Sequence, residues 1–384
     1  RASEVSESSH LPPEGIFRSV TAVLTIDEND NMVLSMYDPM DRELVEFCDG
    51  VAQLAADFTA PYASLAATTH LASAAAAGFF DPEDVRARRG SYLLQEYDPD
   101  RIPIVLIHGL WSSPLTWREV TNEIWGDPLL RERFQIWHYV YPTGTPVLTT
   151  ARDLRLSLEG LIHQLDPERD DAATNDIVLM GHSMGGLIAK TLVQSSGSTV
   201  WDARFRMSIE EMSLEEGDRA MATQIYFFEP LPFVECVIFL ATPHRGSELA
   251  DGLVGRLGDS LVRPSTMLEG LSRRISSLNP GARYPDSRDA PSSIDVLSPS
   301  HAGLRALSEL AIDSQVSYHS IIATKDGSSG EHASDGVVLY ESAHLQGASS
   351  ELIVEAGHDV VLHEESWREI RRILHSKIKG PAGD

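Results

Sequence analysis

The residues best suited to chemistry lie in Asp176-Ile-Val-Leu-Met-Gly-His-Ser-Met-Gly-Gly-Leu-Ile-Ala-Lys190. Ile177 to Met180 are consecutive apolar residues, as in a strand covered on both faces. Gly181, Gly185 and Gly186 surround Ser183. A chain that turns at once from strand to helix forces its corner residue into a strained conformation. Small neighbours keep that corner free of collisions. The hydroxyl is then held out at the carboxyl end of a sheet, above a helix N-terminus, which is the mechanical content of a Gly-x-Ser-x-Gly elbow. The bare pattern arises by chance in roughly one chain in ten of this length. The competing reading is a glycine-rich turn with a capping serine. The strand before Ser183 and the helix-compatible Leu187–Leu192 after it favour the elbow.

A serine hydroxyl is a poor nucleophile until a base takes its proton and a third group orients that base. One arrangement has the chain order serine, acid, histidine, each beyond the carboxyl end of a strand. Ser183, Asp335 and His358 fit it. His358 directly follows the predicted strand Glu351–Gly357, and Asp335 lies in the loop after Tyr318–Thr324. Rivals exist for each partner. Asp326 is nearer its strand end, Asp359 adjoins His358, and His344 and His363 are weaker bases. Asp335-Gly336 on its own reads as an ordinary turn. His10, His70, His163, His301, His319 and His332 read as solvated or packed. A tetrahedral oxyanion needs two aimed donors. The sequence offers the Met184 N–H and one from His108-Gly109-Leu110-Trp111, with Leu110 first and Trp111 second. Side chains around these amides shape a substrate pocket, and Trp111, His108 and His182 are its candidates. No metal spacing occurs, no dinucleotide or phosphate loop is present, and no cofactor is expected.

The elements that must position these groups follow from the rest of the chain. Its 384 residues allow one large α/β domain with insertions. Residues 1–15 are polar and expected to be disordered. Residues 16–95 form an N-terminal extension packed on the core. Within it Val20–Ile26 and Met32–Tyr37 flank Asp27–Asn31 as a hairpin, expected to supply the first antiparallel strands of the sheet. Residues 41–90 read as mostly helical, with a helix start at Asp81-Pro82. Residues 96–384 alternate strands (Ile102–Ile107, Phe134–Tyr141, the elbow strand, Glu235–Thr242, Tyr318–Thr324, Glu351–Gly357) with helices ending in Glu364–Lys379. That alternation predicts a mostly parallel sheet with helices on both faces. Insertions near 195–230 and 248–300 read as a cap or lid. The second carries Leu249, Leu253, Leu257 and Leu261 every four residues, weakened as a helix by Gly252, Gly255 and Gly258.

Composition narrows the partners. Lys and Arg total 31 against 57 Asp and Glu, a net charge of −26. This argues against nucleic acid and against charge-driven anchoring to anionic lipid. Lys190, Lys325, Lys377 and Lys379 are the only lysines. An acidic, lysine-poor surface suits a salty or extracellular setting, so a secreted, periplasmic or lipoprotein location is expected over a cytoplasmic one. A GC-rich genome would give similar usage. The chain opens at Arg1, and trimming of a leader is expected. No apolar run suits a bilayer, because Ala63–Phe80 is diluted by polar residues. Cys236 falls in a predicted buried strand. Whether it pairs with Cys48 is left open by the spacing, as is the oligomeric state.

Taken together, Leu106-Ile-His-Gly-Leu-Trp-Ser-Ser113, Gly181-His-Ser-Met-Gly-Gly186, Ala241-Thr-Pro-His-Arg-Gly-Ser247, Ser334-Asp-Gly-Val-Val338 and Gly357-His358 resemble segments of bacterial α/β-hydrolases of the lipase and esterase type. Similar blocks occur in triacylglycerol lipases and in the GPI inositol deacylase group. The resemblance covers residues 100–380. It implies the α/β-hydrolase fold and a serine carboxylic-ester hydrolase working through an acyl-enzyme on Ser183, with a small ester or a lipid as substrate. It also favours Asp335 over Asp326, because such lipases place the acid in an Asp-Gly-Val/Leu-Val segment before the histidine. Many of them hold calcium through an aspartate just past that histidine. Here the position is Val360, so calcium is not implied. Cleavage of an amide or thioester, acyl transfer, and non-catalytic binding on the same fold are the alternatives.

Overall fold

A computed structural model describes residues 10–12, 14–47, 50–69, 89–248, 266–284, 292–330 and 332–379. The strands are β1 (Thr21–Ile26), β2 (Met32–Tyr37), β3 (Leu44–Phe47), β4 (Gly50–Gln53), β5 (Gly90–Leu93), β6 (Ile102–Ile107), β7 (Phe134–Val140), β8 (Ile177–His182), β9 (Val234–Leu240), β10 (Ser317–Thr324) and β11 (Ser350–Glu355). Seven of them form one sheet in the order β11-β10-β9-β8-β6-β7-β5. Every neighbouring pair is parallel except β5 with β7. The principal helices are α1 (Thr59–Thr69), α2 (Arg118–Gly126), α3 (Val147–Leu165), α4 (Met184–Thr191), α5 (Glu216–Tyr226), α6 (Thr266–Leu278), α7 (Tyr340–Ala343) and α8 (Glu364–Lys379).

The continuous apolar runs of the central strands follow from burial on both faces. Val105 and Ile107 of β6, Leu179 of β8 and Val237 and Phe239 of β9 point to one side. There they meet Leu154, Leu158 and Leu161 of α3 and Leu187 and Ile188 of α4. Ile104, Leu106, Val178, Met180, Ile238 and Leu240 point to the other, against Ile124 of α2 and Ile370, Ile373 and Leu374 of α8. Cys236 lies in this second core as a free, buried thiol, and Cys48 lies outside the described residues. A third apolar cluster belongs to the insertions. Trp201, Phe205 and Ile209 pack with Ile225 of α5 and Leu271 and Ile275 of α6. Arg274 of α6 grips both carboxylate oxygens of Asp218 on α5, at 2.5 and 2.6 Å. The leucine stripe Leu249–Leu261 falls outside the described residues.

The N-terminal extension departs from the sequence expectation. The β1–β2 hairpin forms, but as a separate two-stranded sheet, and β5 supplies the antiparallel edge of the main sheet. The reason is burial. Leu93 of β5 is fully enclosed opposite Trp137 of β7, whereas Leu24 and Ile26 of β1 are exposed. Of residues 41–90, Thr59–Thr69 forms the helix α1, residues 48–49 and 70–88 lie outside the described residues, and the helical expectation fails before α1. Leu44–Phe47 and Gly50–Gln53 alternate and pair as β3 and β4, with Val45 turned inward. The proposed helix start at Asp81 lies outside the described residues, as do residues 1–9. At the end of the polar N-terminus His10 hydrogen-bonds Gln164 at 2.8 Å, and Leu11 packs against the first core. Among the described residues, no helix is long and apolar enough to cross a membrane.

Candidate active site

Ser183 stands between β8 and α4 with φ 55° and ψ −125°, a conformation that costs free energy for a residue with a Cβ. Its N–H donates to the Leu240 carbonyl at 2.9 Å, fastening the corner to β9. The surrounding glycines are dictated by space. A Cβ at Gly185 would overlap the carbonyl oxygens of Ile107 and His108, and one at Gly186 would overlap the Thr242 hydroxyl. At Gly181 it would come within 2.6 Å of the Gly185 carbonyl.

Three strand ends converge on the hydroxyl. Ser183 follows β8, Asp335 lies in the loop after β10, and His358 follows β11. His358 Nε2 is 2.8 Å from Ser183 Oγ, and Nδ1 is 2.7 Å from Asp335 Oδ2. With the hydroxyl donating to Nε2, Nδ1 carries the proton and donates to the carboxylate. Asp335 is 3% exposed, and its Oδ1 accepts the N–H groups of Val337 and Val338, each at 2.7 Å. Gly336, at φ 97°, makes the turn that folds these amides back.

The rival residues are engaged elsewhere. Asp326 is exposed and accepts the backbone N–H and hydroxyl of Ser328, which hold its carboxyl below the usual range. Asp359 is exposed. His344 Nδ1 meets Glu351 at 2.6 Å.

Sequence reading put His108 and His182 among residues facing substrate, and the structure gives both other contacts. His182 is buried, and its Nε2–H donates to the His358 carbonyl at 2.8 Å. Burial, then the neighbouring His358, pushes its pKa down to about 4. The ring is therefore neutral near pH 7. His108 is buried against the Tyr141 ring at 4.4 Å between centroids, and burial lowers it to about 4. The Tyr141 hydroxyl donates to the His108 carbonyl at 2.6 Å. Trp111, 42% exposed with φ 53°, lies where the same loop meets solvent. The loop presses on the elbow: a Cβ at Gly109 would come within 2.9 Å of Ser183 Cβ. Leu110 is partly buried against the first core. Met184 contributes the first N–H of α4, which has no acceptor within the helix.

Sequence reasoning gave no role to Thr242–Ser247, yet this segment grips the loop carrying Asp335. Arg245 Nη1 donates to the carbonyls of Glu341 and His344 at 2.6 and 2.8 Å, around the short helix α7. The Arg245 N–H reaches Ser342 Oγ at 3.1 Å, and that hydroxyl donates to the Gly246 carbonyl at 2.6 Å. Ser247 Oγ donates to the Val337 carbonyl at 2.5 Å. The peptide that feeds an N–H to Asp335 is thus held from its other side. Adjacent hydroxyl and guanidinium donors in Arg245-Gly-Ser247 were the available signal.

The chain has matches among known proteins. A family model described as the alpha/beta hydrolase family matches residues 104–373. Similar solved structures include the mature lipase BlEst2 of Bacillus licheniformis, 17% identical over 74% of this chain and 97% of that chain, with a TM-score of 0.44. Lipase 1 from Pelosinus fermentans is 14% identical over 74% of this chain and 100% of that chain, with a TM-score of 0.42. EstA from Clostridium botulinum is 15% identical over 71% and 87%, with a TM-score of 0.41. No curated protein matches the chain. The family match runs from β6 into α8, well over half of the chain, and the protein belongs to the alpha/beta hydrolase family.

Proposed function

We propose that the protein is a serine carboxylic-ester hydrolase. The observation that carries this reading is the continuous relay from Ser183 Oγ through His358 to Asp335, at 2.8 and 2.7 Å. Ser183 Oγ attacks the ester carbonyl carbon while His358 Nε2 takes its proton. The carbonyl oxygen becomes an oxyanion, received by the N–H groups of Leu110 and Met184. Collapse expels the alkoxide, which leaves with the proton held by His358. Water then enters, gives a proton to the same nitrogen and attacks the acyl-enzyme, and the acid departs as Oγ is reprotonated. Asp335 remains a carboxylate throughout and steadies the imidazolium.

Trp111 belongs to the substrate pocket in this reading. The insertions containing α5 and α6 act as a cap, supported by their own apolar cluster and the Asp218–Arg274 pair. A small ester or a lipid is the substrate in this reading, and the acidic, lysine-poor composition supports a location outside the cytoplasm.

The test is hydrolysis of p-nitrophenyl esters from acetate to palmitate, wild type beside Ser183→Ala. Wild-type turnover should fall by about 10⁴-fold or more in the variant. The chain-length profile separates esterase from lipase. A wild type inert on every ester would sink ester hydrolysis and leave acyl transfer, amide or thioester cleavage, or binding.

A further inference from the structure

The β1–β2 hairpin is turned inside out. Pairing sets Ala22 opposite Met36, Leu24 opposite Leu34 and Ile26 opposite Met32. Side chains alternate along a strand, so these six share one face. That face is wholly aliphatic and points to solvent. Leu24 is 59% exposed, Ile26 71%, Met32 76%, Leu34 62% and Met36 72%. The opposite face, with Thr21, Val23, Thr25, Ser35 and Tyr37, is more polar and mostly half-buried, with Val33 on it 41% exposed. An alternating strand ordinarily buries its apolar side, and a two-stranded hairpin has little stability alone. Among the described residues, no third strand joins this sheet.

The exposed apolar face amounts to roughly 600–700 Å², above the roughly 300–600 Å² of the largest patch on an ordinary monomer. Two copies laid face to face would remove about twice that area, which clears the roughly 1,000 Å² expected of a specific interface. We propose that this face is a two-fold dimer interface, and that its occupant is the same face of a second copy of this chain. A two-fold contact requires a patch complementary to itself. Six aliphatic side chains without a charge meet that condition, and the two methionines adapt to fill gaps. The Leu24–Leu34 pair lies between the other two pairs, where the axis would pass. The carboxylates of Asp27, Glu28 and Asp30 are confined to the turn at one end. An axis that lies in the interface and runs across the strands sends the two turns to opposite ends, so chains of net charge −26 meet without apposing them. A lipid surface is a poorer occupant, because this face carries no aromatic or basic anchor.

Sedimentation velocity on the full chain, from about 1 to 100 µM, tests the proposal. Wild type should pass from the 42.2 kDa monomer to a dimer across that range. Leu24→Glu with Leu34→Glu, which gathers four carboxylates at the axis, should stay monomeric at the highest concentration. Both positions are exposed in the monomer, so thermal unfolding of the variant at low concentration should match wild type. Leu24→Thr with Leu34→Thr should weaken association at least tenfold without adding charge. Separately, Leu34→Cys should form a disulfide with its own copy under oxidation. A wild type monomeric throughout, a dimer indifferent to these variants, or a monomer that floats with phosphatidylcholine vesicles would each overturn the proposal.

Discussion

His182 and His358 show how one side chain can fix the backbone of another. The buried His182 ring donates to the carbonyl of His358, so the backbone of the proposed base is fixed as well as its imidazole. His182→Ala should lower kcat by about 10- to 100-fold with KM little changed, since it loosens positioning rather than binding. Steady-state kinetics on a short ester checks this, and an equal loss through KM would contradict it. Asp335→Asn should be worse, by about 10⁴-fold in kcat, because an amide in that place favours the wrong imidazole tautomer. Arg245→Lys tests the grip on the Asp335 loop. An ammonium keeps the charge but lacks the planar, rigid guanidinium whose Nη1 is held between two carbonyls. The expected result is a loss of about tenfold in kcat and an altered acid limb of the pH–rate profile. An unchanged profile would assign Arg245 to packing alone.

At the scale of elements, the elbow is where local strain and tertiary packing meet. Gly185→Ala drives a Cβ into two backbone carbonyls that cannot yield. It should destabilise the fold by about 3 kcal/mol or more, read by urea unfolding. A neutral result would show that β6 and α4 can separate without cost. The same elements explain what was legible in advance. β6, β8 and β9 carry apolar runs because both faces are covered, and α8 carries its apolar stripe in register. Each left a periodic mark. The grip of Arg245, Ser342 and Ser247 left none. Hydrogen bonds from side chains to carbonyls about ninety residues away impose no spacing on a sequence. Asp335 was ambiguous for a related reason. An Asp-Gly turn looks the same whether its carboxylate faces solvent or a histidine. The extension misled because short strands such as Leu44–Phe47 yield few residues from which to tell a period of two from one of 3.6.

Across the whole molecule, buried histidines set a dependence on acidity. Burial lowers His108, His182 and His301 to about 4 and His138 to about 3, against roughly 6.5 in an unfolded chain. Between those values the unfolded chain takes up protons that the folded chain refuses. Stability is therefore fully present above about pH 6.5 and is lost as pH falls toward 4. Urea midpoints should drop from pH 7.5 to pH 5, and His138→Leu should flatten that slope. A midpoint unchanged over the range would mean that these rings gain protons without unfolding.

The order of strands across the sheet bears on when the protein becomes competent. Ser183 follows β8, in the middle of the sheet, while His358 follows β11, an outer strand bonded on one side to β10. Folding can therefore finish its centre, enclose Trp117 and Trp137, and still lack the proposed base. In refolding, the tryptophan signal should recover before ester turnover, with the lag reporting the docking of the last strand.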